Sequence, residues 1–411
     1  VGARRDLRKA ALVAAIAGGA IGLAGSAGSI GAGVYFARVL LTPECHRPDN
    51  TVLLAVHTDR VLLRLDAETR VPGRYGLWLD QGREHIRVGQ ILAIDERAGT
   101  VERELLGIDF GVPAPGPGRW SGHYYPNRPD VSLQLPTYEV GIYGELGELP
   151  SWVIPGAGTA AGPQPPRGGR WAVLVHGRGA TREECLRAVP VLHRLGITCL
   201  IPSYRNDGTA PPSTDGLYGL GLTEWRDIDA ALRYALEAGA NDLTLFGWSM
   251  GGGIVLQTLA RSQVATSVDR VVLDAPVIDW SRVIEHHARL RHIPPGLGTI
   301  VQMLLRARWS YGLIGAGEPI DIASTRWQHR ARELAHPILL IHSCDDDFVP
   351  VGPSLELAVA RPDLVRFEAW QHARHVKEWN VDPQRWEEVV ADFVGSPGRV
   401  ASVLALRRGD G

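Results

Sequence analysis

The segment that most constrains this chain is the short apolar run Leu243-Thr-Leu-Phe-Gly-Trp248, which leads directly into Ser249-Met250-Gly251 and then a stretch of helical spacing ending at Arg261. Gly247-Trp248-Ser249-Met250-Gly251 is a G-x-S-x-G pattern at a strand-to-helix turn. A serine at such a turn is held in a strained backbone conformation, and its neighbours tolerate only hydrogen where strand and helix crowd together. The flanking glycines Gly247, Gly251 and Gly252 therefore mark Ser249 as a presented nucleophile rather than an ordinary turn hydroxyl.

Around this turn the chain alternates. Arg170 to His176, Thr198 to Pro202, Arg270 to Ala275 and Pro337 to His342 are short apolar runs, whereas Arg182 to Leu195 and Glu224 to Ala238 repeat with helical spacing. Strand-like runs that alternate with helices predict a parallel sheet covered on both faces. Ligands and chemistry then belong at the carboxyl ends of the strands.

A serine hydroxyl is a weak nucleophile at neutral pH and needs a base, itself oriented by an acid. In this strand–turn–helix context the acid and then the base follow the serine in the chain. Ser343-Cys-Asp-Asp-Asp-Phe-Val-Pro350 places an acidic turn after the strand-like run 337–342, and Asp346, three residues before Val349-Pro350, is the expected acid. Asp345 and Asp347 read as solvated, and Asp274 is the backup acid, with a structural hydrogen-bond acceptor as its other and preferred reading. The base comes from Gln371-His372-Ala373-Arg374-His375, which offers two histidines. The developing oxyanion needs preplaced N–H donors. Met250 N–H, directly after the nucleophile, is one candidate, and Arg178 N–H in the H-G-x-G loop His176-Gly177-Arg178-Gly179 is the other. No role is assigned to the Arg178 guanidinium.

Elsewhere the chain is less specific. Ala10 to Ala37 is an uncharged run of 28 residues preceded by Arg4, Arg5, Arg8 and Lys9. As a helix it would span about 42 Å, more than the roughly 30 Å hydrocarbon core of a bilayer. Its flanking charges predict a single-pass anchor in the cell membrane, with the amino terminus inside and the body outside; a cleaved export signal, leading to secretion, is the alternative. Residues 49–109 alternate short apolar runs with turn residues and read as a small β-rich module, and the Pro/Gly-rich stretch 111–118 reads as a linker. A net charge of −2 gives no reason to expect nucleic acid as a partner. Cys45, Cys185, Cys199 and Cys344 lack metal-site spacing, and a Cys185–Cys199 bridge stays open. His286 and His287 adjoin each other and do not face one ligand. Neither a metal nor another cofactor is expected.

Taken together, His176-Gly-Arg-Gly179, Gly247-Trp-Ser-Met-Gly-Gly252, His342-Ser-Cys-Asp-Asp-Asp-Phe-Val-Pro350 and His375-Val-Lys-Glu-Trp-Asn380 resemble the α/β-hydrolase superfamily of serine hydrolases. More narrowly, the chain resembles the actinobacterial members with an amino-terminal hydrophobic anchor. Tyr204-Arg-Asn-Asp207, Glu224-Trp-Arg-Asp227 and Tyr35-Phe-Ala-Arg38 are similar to that group as well. The resemblance selects His375 over His372 and implies a Ser249, Asp346, His375 triad with oxyanion donors Arg178 and Met250. Ser343 departs from a glycine common in the superfamily and is read as a surface-turn change. The implied organisation is an anchor or export signal over 1–44, a β-rich module and linker over 45–132, an α/β-hydrolase fold over 133–396 with a lid-like insertion at 277–335, and a tail over 397–411. The implied activity is hydrolysis of a small-molecule or lipid-like ester, or an amide, through an acyl-enzyme. Acyl transfer by the same residues, and a non-catalytic binding protein of the cell envelope, are the alternatives.

Overall fold

The computed structural model describes residues 30–44, 48–159, 162–293 and 296–395. Residues 10–29 of the expected anchor and the tail at 397–411 lie outside the described residues.

The amino-terminal module is a closed six-stranded antiparallel barrel in the order β1-β2-β5-β4-β3-β6. Its strands are β1 (Thr51–Val56), β2 (Arg60–Arg64), β3 (Tyr75–Leu79), β4 (Glu84–Asp95), β5 (Thr100–Phe110) and β6 (Gly116–Ser121). The stretch expected as a linker thus contributes the strand that closes the barrel, pairing with β1 on one side and β3 on the other. Closure leaves no open sheet edge. At Gly118 a Cβ would come within 2.8 Å of Leu79 Cδ2, so glycine is what lets this strand sit against β3. Leu53, Val61, Leu63, Leu77, Ile86 and Val101 fill the interior.

One charged residue, Arg103, is wholly buried in the barrel. Its guanidinium donates to the carbonyls of Thr69, Val71, Gly73 and Gly89 at 2.7–2.9 Å. It also lies 5.0 and 5.4 Å from the Trp120 and Tyr75 rings. Burial pulls its pKa down to about 10, which leaves it a cation at neutral pH. A buried cation is tolerated when its donors are satisfied, and here they fix the backbone of the β2–β3 loop.

The larger domain is an eight-stranded sheet in the order β14-β13-β12-β11-β9-β10-β8-β7. Its strands are β7 (Tyr138–Gly144), β8 (Gly147–Ile154), β9 (Arg170–Val175), β10 (Thr198–Pro202), β11 (Asp242–Trp248), β12 (Arg270–Asp274), β13 (Ile338–Ser343) and β14 (Val365–Trp370). From β10 to β14 all pairings are parallel; β7 and β8 form a hairpin and pair antiparallel, and β8 joins β10 antiparallel. Side chains alternate across the sheet as the two-residue period requires. Val173 and Val175 of β9 face the core shared with α2 (Trp225–Glu237) and α3 (Met250–Arg261), while Ala172 and Leu174 face the core shared with α1 (Val189–Arg194) and α6 (Pro383–Gly395). The expected helix from Arg182 to Leu195 is split: Arg182–Arg187 is a 3-10 turn and α1 begins at Val189, with Pro190 in its first turn where no N–H is needed.

Two helices of the insertion between β12 and β13, α4 (Trp280–Leu290) and α5 (Leu297–Arg306), lie over the carboxyl ends of the strands together with a helical stretch at 30–41. Ala37 and Leu41 of that stretch are fully buried in the larger core. A Cβ on Gly33 would fall 2.8–2.9 Å from Leu304 and Ile300 of α5, so the two helices touch backbone to side chain. Residues 30–37, expected as the end of a membrane span, therefore pack on the globular domain. Among the described residues no helix is long and apolar enough to cross a membrane.

Candidate active site

Ser249 stands between β11 and α3 with φ 51° and ψ −118°, the strained conformation expected at the turn. Its surroundings explain the glycines. A Cβ at Gly251 would lie 2.2 Å from Val175 O, and one at Gly247 would lie 2.6 Å from Gly252 Cα. The turn is fixed by Ser249 N–H to Asp274 O and by Gly252 and Val277 N–H to Ser249 O, each at 3.0 Å.

His375 Nε2 lies 2.9 Å from Ser249 Oγ, and His375 Nδ1 lies 2.7 Å from Asp346 Oδ2. His372 points away and is largely exposed. Asp346 Oδ1 accepts the N–H groups of Phe348 and Val349 at 2.8 Å each, and Oδ2 also faces His342 Nε2 at 3.1 Å. Burial by itself would raise the Asp346 carboxyl. The charge of His375 and hydrogen bonds from His342 and His375 outweigh it and hold the group well below the usual carboxylate range. An ionised Asp346 accepting from Nδ1–H leaves Nε2 of His375 free to take the serine proton.

The aspartate held in reserve lies behind the elbow. Asp274 Oδ2 accepts the indole N–H of Trp386 at 2.9 Å, and its carboxyl is buried near that of Glu378; burial raises both acids, and the nearby Asp274 carboxyl raises Glu378 further. Its part is structural. Ser343, expected at a surface turn, is instead buried. Its hydroxyl donates to Asp345 at 2.6 Å and accepts Ala373 N–H at 3.0 Å, joining the acid turn to the histidine loop.

The loop after β9, which carries the expected oxyanion donor Arg178, is held from behind. Glu184 Oε2 accepts Gly177 N–H at 2.6 Å, Tyr204 OH donates to the carbonyl of Gly177 at 2.9 Å, and Tyr218 OH accepts Gly179 N–H at 3.2 Å. Burial opposes ionisation of Glu184, but His123 at 3.3 Å, Arg187 and the Gly177 N–H keep its carboxyl far below the ordinary range. No backbone carbonyl among the described residues takes the N–H of Arg178 or Met250, which leaves both donors available. Sequence reasoning missed Glu184 and His123: their partners lie 7 and 61 positions away in a pattern with no periodic signature.

The Arg178 side chain, to which no role had been assigned, caps the end of the helical stretch 30–41. It donates to Val39 O, Leu40 O and Thr42 O at 2.9–3.1 Å and pairs with Glu44 at 2.8 Å. A cation here meets the unpaired carbonyls and negative end of a helix.

His286 and His287 face the carbonyls of Asp347 and Phe348 at 2.9 and 3.0 Å, and no group of metal-ligating side chains occurs among the described residues. Cys185 and Cys199 are both free thiols.

The sheet order, the elbow after its fifth strand and the triad loops after its seventh and eighth converge with the sequence comparison, in which residues 172–297 match the family model described as alpha/beta hydrolase fold. The larger domain has the α/β-hydrolase fold. Residues 52–121, the barrel, match a domain of unknown function (DUF8805). Over 157 residues, the chain is 28% identical to the multifunctional-autoprocessing repeats-in-toxin of Vibrio vulnificus, 36% of this chain but only 3% of that protein. Among solved structures, the chain resembles an esterase of Pyrococcus furiosus at 20% identity and TM-score 0.49, covering 66% of this chain and 93% of the esterase. A puromycin-hydrolyzing peptidase of Mycobacterium tuberculosis is similar at 19% identity and TM-score 0.48, covering 82% of this chain and 51% of the peptidase.

Proposed function

We propose that the chain is a serine hydrolase that cleaves a carboxylic ester through an acyl-enzyme on Ser249. The observation that carries this reading is the continuous relay from Ser249 Oγ through His375 to Asp346, at 2.9 and 2.7 Å. His375 removes the Ser249 proton as Oγ attacks the carbonyl carbon. The N–H groups of Arg178 and Met250 receive the oxyanion. Collapse breaks the bond to the leaving alcohol, which takes the proton from His375, and water then attacks the acyl-enzyme with His375 again as base.

An ester is preferred to a peptide because of the adjoining cavity. Phe36, Leu40, Trp280, Ile284 and Val301 line about 130 Å³ of mainly apolar space bordered by Arg178 and Phe348, and the Phe348 ring stacks 5.0 Å from that of His375. That volume is below the roughly 300–1,000 Å³ of drug-sized pockets and suits a short acyl or alkyl group. We also propose that the hydrolase lies outside a cell membrane, a reading supported by the cluster Arg4, Arg5, Arg8 and Lys9 ahead of the uncharged run.

A fluorophosphonate probe and a chain-length series of acyl esters test the activity. The wild-type protein is expected to be labelled and to hydrolyse short esters, with Ser249→Ala losing labelling and at least ~10⁴-fold in kcat. A folded wild-type protein that takes no label sinks the reading.

A further inference from the structure

The barrel touches the α/β-hydrolase where the base is held. The turn between β2 and β3 is rigid by construction. Asp66 Oδ1 accepts the N–H groups of Glu68 and Thr69 at 2.9 Å each, Thr69 Oγ1 donates to Arg64 O at 2.8 Å, and buried Arg103 grips the carbonyls of Thr69, Val71 and Gly73 from inside. This turn presents Glu68 to the loop that carries His375. Its carboxylate lies 3.2 Å from Arg374 Nε and accepts from Lys377 Nζ, so it pairs with cations on both sides of the histidine. Arg374 also donates to Ala67 O at 3.1 Å and pairs with Asp347 of the acid turn.

Further along, Arg74 N–H donates to Asn380 O at 2.9 Å, and Asn380 Nδ2 donates to Arg74 O and Gly122 O at 2.8 and 2.9 Å. Gly73, at φ 111°, leaves only 2.1 Å between an added Cβ and Asn380 O, so the backbones meet with no room for a side chain.

The residues on either side of His375 explain why such support is needed. Arg374 has φ 60° and Val376 has φ 55°. Non-glycine residues rarely enter this region, a β-branched one least of all, and they stay there only when their surroundings hold them. For Arg374 the surroundings are the barrel turn and Asp347. For Val376 they include Arg187 Nη1, which takes its carbonyl at 2.7 Å and also donates to Asn380 Oδ1 at 3.1 Å.

We propose that the barrel is a positioning module for the catalytic base, and that Glu68 is a positioning residue that holds the His375 loop by pairing with Arg374 and Lys377. This rests on the reading of Ser249, His375 and Asp346 as a working triad. Small displacements of a reacting group are costly, up to about a hundredfold for 1 Å, so a loosened loop lowers the rate of the chemical step without weakening substrate binding.

The test uses the full chain as wild type, Glu68→Gln, Glu68→Ala and a control, Glu96→Gln, which removes the partner of Arg70 at an exposed site on the same barrel. The Gln variant keeps the size of the side chain, so a failure of Glu68→Ala to fold does not end the experiment. Both Glu68 variants are expected to lower kcat about ten- to a hundredfold with KM within about twofold. They are also expected to slow fluorophosphonate labelling of Ser249 and speed amide exchange across residues 373–377, while the control stays at wild type. A Glu68→Gln protein with wild-type kcat and wild-type exchange in the loop overturns the proposal, as does a loss confined to KM. If the wild type itself takes no label, the triad reading fails. Amide exchange then still decides the clamp: faster exchange in the Glu68 variants supports it and unchanged exchange overturns it.

Discussion

Ser249 and His375 are hydrogen-bonded to each other, yet they are held by different means. The serine elbow is built mostly from its own neighbourhood: three nearby glycines at the end of β11 and the start of α3 make the turn, and it packs against the end of β9 and the segment from Asp274 to Val277. The histidine sits on a loop with two non-glycine residues at positive φ, and much of what steadies it comes from the barrel, about 300 residues earlier in the chain. The comparison teaches that a nucleophile can be specified by a local sequence pattern, whereas its base depends on how distant parts of the chain dock.

The strongest way to break the comparison is Asp346→Asn, which disables the histidine side and leaves the elbow untouched. Loss of the carboxylate presents the wrong imidazole tautomer, so kcat is expected to fall by about 10⁴ in steady-state kinetics. The same carboxyl makes a sign prediction. Its folded pKa is depressed, so the stability it contributes is complete above the ordinary Asp value near 4 and is lost as pH falls below it. Thermal melts from pH 6 to 3 should therefore show the wild type losing its advantage over Asp346→Asn as the pH drops. A constant difference between the two would contradict the assignment.

A smaller effect is expected at the loop after β9, which joins the two regimes. Arg178→Ala keeps the backbone N–H but removes three bonds to the end of the helical stretch 30–41 and the pair with Glu44. Hydrogen bonds to a charged group contribute about 1.5–3 kcal/mol each at most, and the loss here is partly offset by water at an exposed edge. We expect acetyl-ester turnover within a few fold of wild type and a flattened preference along the acyl chain-length series, because Phe36 and Leu40 line the cavity on that helix. Unchanged chain-length preference would separate the tether from the pocket.

The smallest effect concerns the elbow's own support. Glu378 is buried against Asp274, and both carboxyls are raised. A raised folded pKa means that the native state keeps a proton which the unfolded chain releases, so stability falls as pH climbs above the ordinary Glu value near 4.3. Glu378→Gln cannot ionise, and its melting temperature should rise relative to wild type by about 2–4 °C between pH 5 and pH 8. A parallel pair of curves would show that the two acids share no proton.

Much of this was legible without coordinates because it rests on short-range rules. The elbow announced itself through glycines that a strand–turn–helix crossing demands, and the acid turn and the two candidate histidines followed in the order that the resemblance to the α/β-hydrolases implies. Other features were not legible. The Pro/Gly stretch before Trp120 looked unable to join a ladder, yet Gly118 fits against Leu79 and closes the barrel. Ser343 looked like a surface residue until β14 covered it. Residues 30–37 looked like lipid-facing helix because an apolar surface packs equally well against lipid or against α5, and hydropathy does not tell the two apart.

The sequence by itself determined the candidate triad: Ser249 at a glycine-framed turn, Asp346 after a strand, and a histidine beyond it, since strand period and turn sterics act over a few residues. Only the tertiary structure decided what holds that chemistry in place. Glu68, His123 and the Arg178 side chain each act across a contact between segments far apart in the chain, and Glu184 reaches back seven residues to Gly177; such contacts leave no periodic mark on the residues that make them.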